Sequence, residues 1–320
     1  MITSFDARVT AWAPVAVFAY SRPDKLAEVM ASLQRCDGFY DSPVTIFVDG
    51  PRSVGDSAAV ESVRRVASSI EAANVSCEFS QVNRGLRNAI FAGVTKLVRQ
   101  YGRVIVIEDD LVLSSVALRY FNHALQAYEF DTRVWHISGY IYDVPALRTR
   151  PNALMLPFAN PWGWATWKRA WDQFELDSQP SEEQLGAKSF SSAFDLDGFH
   201  PYTNLLRSSI RGLVDSWFIH WYYTMFSHGG VAIFPPRRVS ENFGTNKGTH
   251  GGKLNPYHIL VRKPGLLRDV PTFGNTDNVD YVALDSLKKC QEARVRRLIA
   301  KAGLVKRRLL QYKVAARMKS

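Results

Sequence analysis

The chain has 320 residues, 46% of them hydrophobic and 22% charged. That is enough to bury a core without staples, and it excludes a disordered, collagenous or coiled-coil protein. Three scattered cysteines, Cys36, Cys77 and Cys290, cannot build a disulfide framework or a zinc ribbon, so a reducing compartment is expected. The formal net charge of +10 has a location: residues 285–320 hold twelve basic residues and two acids, so the remainder is neutral.

In chain order, Pro14–Tyr20 reads as a buried strand, and Pro23–Leu33 as a helix with its stripe at Leu26, Val29, Met30 and Leu33. Val44–Val48 is a second strand, ended by the turn Asp49-Gly50-Pro51. A helix over Ala58–Ala73, an edge-like strand over Val75–Gln81, a helix over Asn88–Gln100 and a strand over Val104–Ile107 follow. Alternation of this kind predicts an α/β fold, with a mostly parallel, doubly wound sheet that binds ligands at the carboxyl ends of its strands. Further on, Ala117–Tyr128 reads as a helix, Val134–Tyr140 as a strand, Val214–His228 as a helix and Val231–Phe234 as a strand. The polar stretch Glu175–Asn204 reads mostly as loop or lid, with a helical turn over Glu182–Lys188 as the alternative, Arg268–Val282 as a linker, and Leu287–Met318 as a basic helix. The expected organisation is therefore 1–112, 113–270 and a linker with tail over 271–320. The longest clean apolar runs, such as Val15–Tyr20, fall far short of the ~20 residues that span a bilayer. No basic stretch leading into an apolar one opens the chain, so no secretory signal is expected.

The strongest chemical feature is Glu108-Asp109-Asp110, three consecutive carboxylates delivered by a buried strand. Clustered acids repel, and a hard divalent cation such as Mn2+ or Mg2+ rewards the arrangement, with its remaining ligands from a diphosphate and water. The bland alternative is an acidic start to the next helix. Arg22-Pro23 follows the first strand, where a guanidinium can fork onto phosphate. Asp49 ends the second, where it can accept from uracil N3–H or a ribose hydroxyl, or simply form an Asx turn. Arg84, Arg87 and Asn88 supply donors around Gly85 at a helix start. Four tryptophans, Trp162, Trp164, Trp167 and Trp171, lie within ten residues, where stacking on sugars competes with core packing.

The ordered set Phe18-Ala-Tyr-Ser-Arg-Pro23, Val48-Asp-Gly50, Asn83-Arg-Gly-Leu-Arg-Asn88, Ile107-Glu-Asp-Asp-Leu111, Asn160-Pro-Trp-Gly-Trp-Ala-Thr-Trp167, Asp215-Ser-Trp217, Ser240-Glu-Asn-Phe-Gly244 and Gly248-Thr-His250 spans most of the chain. In it the sequence resembles bacterial GT-A-fold, nucleotide-sugar-dependent glycosyltransferases related to N-acetylglucosaminyltransferase I and to the family 2-like transferases. The resemblance implies a Rossmann-like sheet and inverting transfer of a hexosyl or N-acetylhexosaminyl group from a UDP-sugar. It also implies a donor site made of Ala19, Tyr20, Arg22, Asp49, Arg84, Asn88, Glu108, Asp109, Trp164, Ser240 and Lys247, with metal on Asp110 and His250. Asp215 matches the family's base, which takes the acceptor hydroxyl proton; N-capping of the following helix is its alternative, and Glu241 is the runner-up base.

The apolar stripe Leu287, Val295, Leu298, Ile299, Ala302, Val305, Leu309 and Leu310, ringed by basic residues, suits an anionic membrane surface contacted through 285–320. Packing of that stripe on the body is the bland reading. Together these readings give a cytoplasmic enzyme, peripheral at the inner membrane face, that extends a lipid-linked glycan acceptor in bacterial polysaccharide synthesis. A sugar-nucleotidyltransferase is the enzymatic alternative, but it normally has a Gly-rich loop where this chain has Ser21-Arg22-Pro23-Asp24. A catalytically inactive glycan-binding scaffold is the non-enzymatic one. Nucleic acid is not an expected partner, because the tail has little aromatic interleaving.

Overall fold

The computed structural model describes residues 9–243, 265–274 and 278–296. Strands β1 (Val15–Ala19), β2 (Val44–Val48), β3 (Val75–Phe79) and β4 (Arg103–Glu108) are joined by helices α1 (Pro23–Gln34), α2 (Val54–Ser68) and α3 (Gly85–Tyr101). They are followed by β5 (Leu111–Leu113), α4 (Ala117–Ala127), β6 (Val134–Ser138), β7 (Leu154–Leu156), β8 (Trp164–Trp167) and α5 (Lys168–Trp171). Four helices come next: α6 (Glu182–Gly186), α7 (Lys188–Phe194), α8 (Tyr202–Ile210) and α9 (Trp217–Ser227). The strands end with β9 (Val231–Phe234) and β10 (Ser240–Asn242). A last helix, α10, runs through residues 281–296.

Eight strands form one sheet in the order β3-β2-β1-β4-β8-β6-β9-β7. The first four are mutually parallel, β8 runs antiparallel to both β4 and β6, β6 is parallel to β9, and β7 is antiparallel to β9. The sheet thus runs through residues of both expected halves. Because β4, β6 and β9 point the same way, their carboxyl ends share one edge, and antiparallel β8 brings its amino end, Trp162–Gly163, there too. The small ribbon β5–β10 lies beside this edge.

The sheet buries both faces. Val15, Val17 and Ala19 point to one core with Leu26, Val29 and Leu33 of α1, while Ala16 and Phe18 point to the other with Ile90 and Val94 of α3. This period of two is why the strands read as continuous apolar runs. α3 ends at Gly102, whose φ of +77° places it in the left-handed region that glycine adopts readily.

Residues 175–204 carry more helix than a loop with one turn at Glu182–Lys188: α6 occupies that turn, α7 and the start of α8 follow, and Phe194 and Tyr202 are buried. Phe194 stacks on Tyr222 of α9 at 4.6 Å between ring centroids. The polar composition concealed this because a few aromatic residues, spaced along short helices, supply the packing. Ser181 and Gln184 cap α6 reciprocally. The expected linker is also packed. Thr272 pairs with Asn152, Phe273 is buried against Tyr120 and Tyr128, and α10 begins at 281. Ala283, Leu284 and Leu287 are buried, while Lys288 pairs with Asp197 and Arg294 donates to the Asp143 carbonyl. This first part of the basic tail therefore docks on the body and is not a free membrane face. Residues 297–320, the rest of the expected stripe, lie outside the described residues. Among the described residues no helix is long and apolar enough to cross a membrane.

A pile of aromatic rings fills the second core. Trp164 is fully buried, stacked on His136 at 5.4 Å and on Trp217 at 5.0 Å. His136 Nε2–H donates to the Asn160 carbonyl at 3.1 Å, and its Nδ1 accepts from the Trp221 indole at 3.2 Å. These partners select the neutral Nε2–H tautomer. Burial pushes its pKa from 6.5 down to about 3. Below pH 6.5 the unfolded chain takes up a proton that the folded ring refuses. Stability from this site is therefore complete above that pH and is lost as pH falls toward about 3, by about 1.4 kcal/mol per pH unit. Urea midpoints measured from neutral pH down to about pH 5 should fall less steeply for His136→Gln than for the wild type. Equal slopes would remove His136 from the acid sensitivity of the fold.

Candidate functional site

The carboxyl ends of β1 and β4 are neighbours, with Phe18 in register with Glu108. Their side chains meet just beyond. Arg22, the residue before α1, forms an ion pair with Asp109 and lies 3.5 Å from Asp110. The Tyr20 backbone N–H also bonds the Asp109 carboxylate. Burial pushes Asp109 up to about 6, against the pull of Arg22. Burial, with Asp110 and Asp109 as negative neighbours, holds Glu108 well above the usual carboxylate range. The acids do not cap a helix, since β5 follows them directly and α4 begins only at Ala117.

This donor set suits a hard divalent cation. Asp109 and Asp110 offer carboxylate oxygens in a place where negative charge is in excess, and Mg2+ or Mn2+ commonly takes one or two protein carboxylates and completes its shell with phosphate and water. Among the described residues, no group of three or more His, Cys, Asp and Glu is placed to hold a metal ion, so a cation here would rest on one or two carboxylates with other ligands. His250 and Lys247, expected to contact metal and donor, lie outside the described residues.

Asp49 follows its turn alternative, extended to the start of α3. Its Oδ1 accepts from the backbone N–H of Gly50 and Arg84, both at 2.9 Å, and its Oδ2 accepts from Gly85 at 3.0 Å. Both oxygens are thus spent on the chain itself, clasping the end of β2 to the first turn of α3. Gly85 adopts φ +75°, and a Cβ there would lie 3.3 Å from Asp215 Oδ2. Gly50 is equally constrained, since a Cβ would meet the Val82 backbone at 2.5 Å.

The clasp therefore sits against Asp215, on the edge that carries the acids. Asp215 is exposed and lies two residues before α9. Ser216 caps that helix, its side chain accepting from Ile219 N–H, so Asp215 is not spent on capping. A serine directly before an apolar helical run is the sequence signal for this cap.

Other expected donor contacts separate. Arg84 and Asn88 are exposed at the mouth of α3, and Asn88 donates to the Arg84 carbonyl at 2.9 Å. Ala19 is buried at the end of β1, and Tyr20 donates its hydroxyl to Asp56 at 2.8 Å beneath the guanidinium of Arg52. Trp164 is fully enclosed in the aromatic core and has no face for a sugar; half-buried Trp162 has one, packed edge-to-face on Tyr140 at 4.5 Å. Ser240 is also fully buried, its hydroxyl bonded to the Trp162 carbonyl, so it positions the tryptophan loop and cannot reach a ligand. Phe243 N–H donates to the Asp110 carbonyl at 2.8 Å, which holds the end of β10 against the acids.

No family model matches this chain, and no curated protein matches it. Among solved structures, a mannosyltransferase from Pyrobaculum calidifontis in complex with GDP-Man and Mn2+ is similar over 68% of each chain, at 12% identity and a TM-score of 0.39. A likeness at that distance carries no argument about what this chain does.

Removing the clasp would leave three backbone N–H groups without their carboxylate. Hydrogen bonds to a charged acceptor contribute about 1.5–3 kcal/mol each, and water replaces part of that, so Asp49→Ala should lower unfolding stability by about 2–4 kcal/mol. A change within about 0.5 kcal/mol in urea titration, the range of an ordinary surface substitution, would show the clasp to be incidental.

Proposed function

We propose that this chain is a metal-dependent, inverting glycosyltransferase that moves a hexosyl or N-acetylhexosaminyl group from a UDP-sugar to a glycan acceptor. The observation that carries the reading is the shared sheet edge. Arg22 faces Glu108-Asp109-Asp110 across β1 and β4, and Asp215, released from capping by Ser216, stands at the same edge. The first group suits a diphosphate with its cation, and the second suits a base. Uridine, a bacterial lipid-linked acceptor and a place at the inner membrane face rest on the sequence resemblance, with the basic residues of 297–320 as the membrane contact.

In this reading Asp110, with Asp109, holds Mn2+ or Mg2+, which when bound neutralises the charge of the diphosphate leaving group. Arg22, already at the strand ends, forks onto a phosphate oxygen. Arg84 and Asn88 are the exposed donors for the nucleotide, and of the tryptophans at this edge Trp162, not the enclosed Trp164, takes the stacking role. Asp215 accepts the proton of the attacking acceptor hydroxyl as that oxygen bonds the anomeric carbon. The bond from that carbon to the diphosphate breaks, and its electron pair leaves with UDP.

Two outcomes separate the parts. Asp110→Ala should lose Mn2+-dependent UDP binding in titration calorimetry while its melting temperature without ligand stays near that of the wild type; retained metal-dependent binding would refute the cation site. Asp215→Asn should lower turnover by ~10²–10⁴-fold with donor affinity within a few-fold. A variant that loses donor binding instead would assign Asp215 to the nucleotide.

A further inference from the structure

After β9 the chain turns through Pro235 and Pro236 and delivers Arg237 and Arg238 to the same sheet edge. Arg238 is only 5% exposed, and its guanidinium is poorly provided for. Its Nη1 lies 3.5 Å from Glu241, and the group sits 5.7 Å from the Tyr140 ring centroid. Its Nη2 is buried without a hydrogen-bond partner among the described residues, and so is Arg237 Nε. A buried donor on a cation is costly unless an acceptor reaches it. Arg237, Arg238, Ile141, Asp143, Pro236 and Gly265 line a pocket at this point. Asp143 does not neutralise the pair, because Arg148 already forks onto its carboxylate at 2.8 and 2.6 Å. Glu241 offsets Arg238, so Arg237 leaves the pocket with the unmatched positive charge, and the space beside the two orphan donors admits about one oxygen atom, which matches a single oxygen of an oxyanion seated at its mouth.

We propose that this pocket binds an anionic group of the acceptor, a phosphate or a carboxylate, on Arg238 Nη2 and Arg237 Nε. The placement rests on the reading of the β1–β4 edge as the donor site. Strands lie about 4.8 Å apart, so β6 and β9 stand roughly 10 and 14 Å from β4, beyond the reach of a diphosphate held at the acids. Tyr140 follows β6 and is buried, and the half-buried ring of Trp162, packed edge-to-face on it, precedes β8, so one indole lies between the two sites. An acceptor sugar resting there would point a hydroxyl toward the donor and its anionic group toward the arginines.

The test is thermal melting of the full chain with methyl phosphate or glucuronate, each against sodium chloride at equal ionic strength, with and without saturating UDP and Mg2+. Methyl phosphate or glucuronate should raise the melting temperature equally in both conditions, and the stronger of the two identifies the acceptor's anion. Arg238→Gln should weaken that probe by roughly tenfold or more. Since that substitution is buried, Arg238→Lys, which keeps the charge but loses the fork, and Arg237→Gln provide variants that do not depend on its folding, and both should weaken the probe too. The proposal is overturned if neither probe acts beyond chloride, if the folded variants respond like the wild type, or if UDP with Mg2+ abolishes the response, which would assign it to the donor site. Absence of any shift from UDP with Mg2+ alone would count against the donor reading while the probe arms still decide the pocket.

Discussion

Three carboxyl groups at the end of β4 repel one another and resist burial, and the guanidinium of Arg22 is what allows the strand to end there. The pairing fixes more than charge. It joins the ends of β1 and β4 beyond their last shared register, and it aims the first turn of α1 at the acids. The Asp49 clasp does the same on the far side of β1, drawing the start of α3 toward the end of β2. Both anchors place backbone and charge at the carboxyl edge, where a parallel sheet leaves its crevice.

Much of this was legible in the sequence because burial on both faces writes itself as apolar runs, and crossover helices write themselves as stripes. The four parallel strands and α1 follow from that. So does the acid cluster, since nothing in folding alone favours three adjacent carboxyls at a buried strand end. The antiparallel course of β8 was not legible. Its 4 residues, Trp164–Trp167, are too short a run to announce a strand although Trp and Thr favour one, and its direction is set by pairing with β4 and β6, far away in sequence.

Side-chain roles at the site were legible only in part. Asp49, Ser240 and Trp164 have the right chemistry for a donor and sit near the right edge, yet each is spent inside the fold: the first on three backbone N–H groups, the second on the Trp162 carbonyl, the third on its aromatic neighbours. A motif identifies residue types, whereas exposure depends on which way a strand's pleat turns them. Arg238 illustrates the reverse. It belongs to no motif, and only its burial without a sufficient acceptor singles it out.

The aromatic pile has an optical consequence. Of the eight tryptophans, Trp135, Trp164, Trp167, Trp171, Trp217 and Trp221 are buried, and only Trp12 and Trp162 are half-buried. Trp164, Trp171 and Trp221 lie with ring centroids 5.1–6.1 Å apart, close enough for their transition dipoles to couple. The near-ultraviolet dichroism of the folded chain is therefore dominated by this interior stack and reports on its integrity. Trp12 and Trp162 are the indoles that an aqueous quencher such as acrylamide reaches first. Core and periphery are thus separable by light in the unlabelled protein.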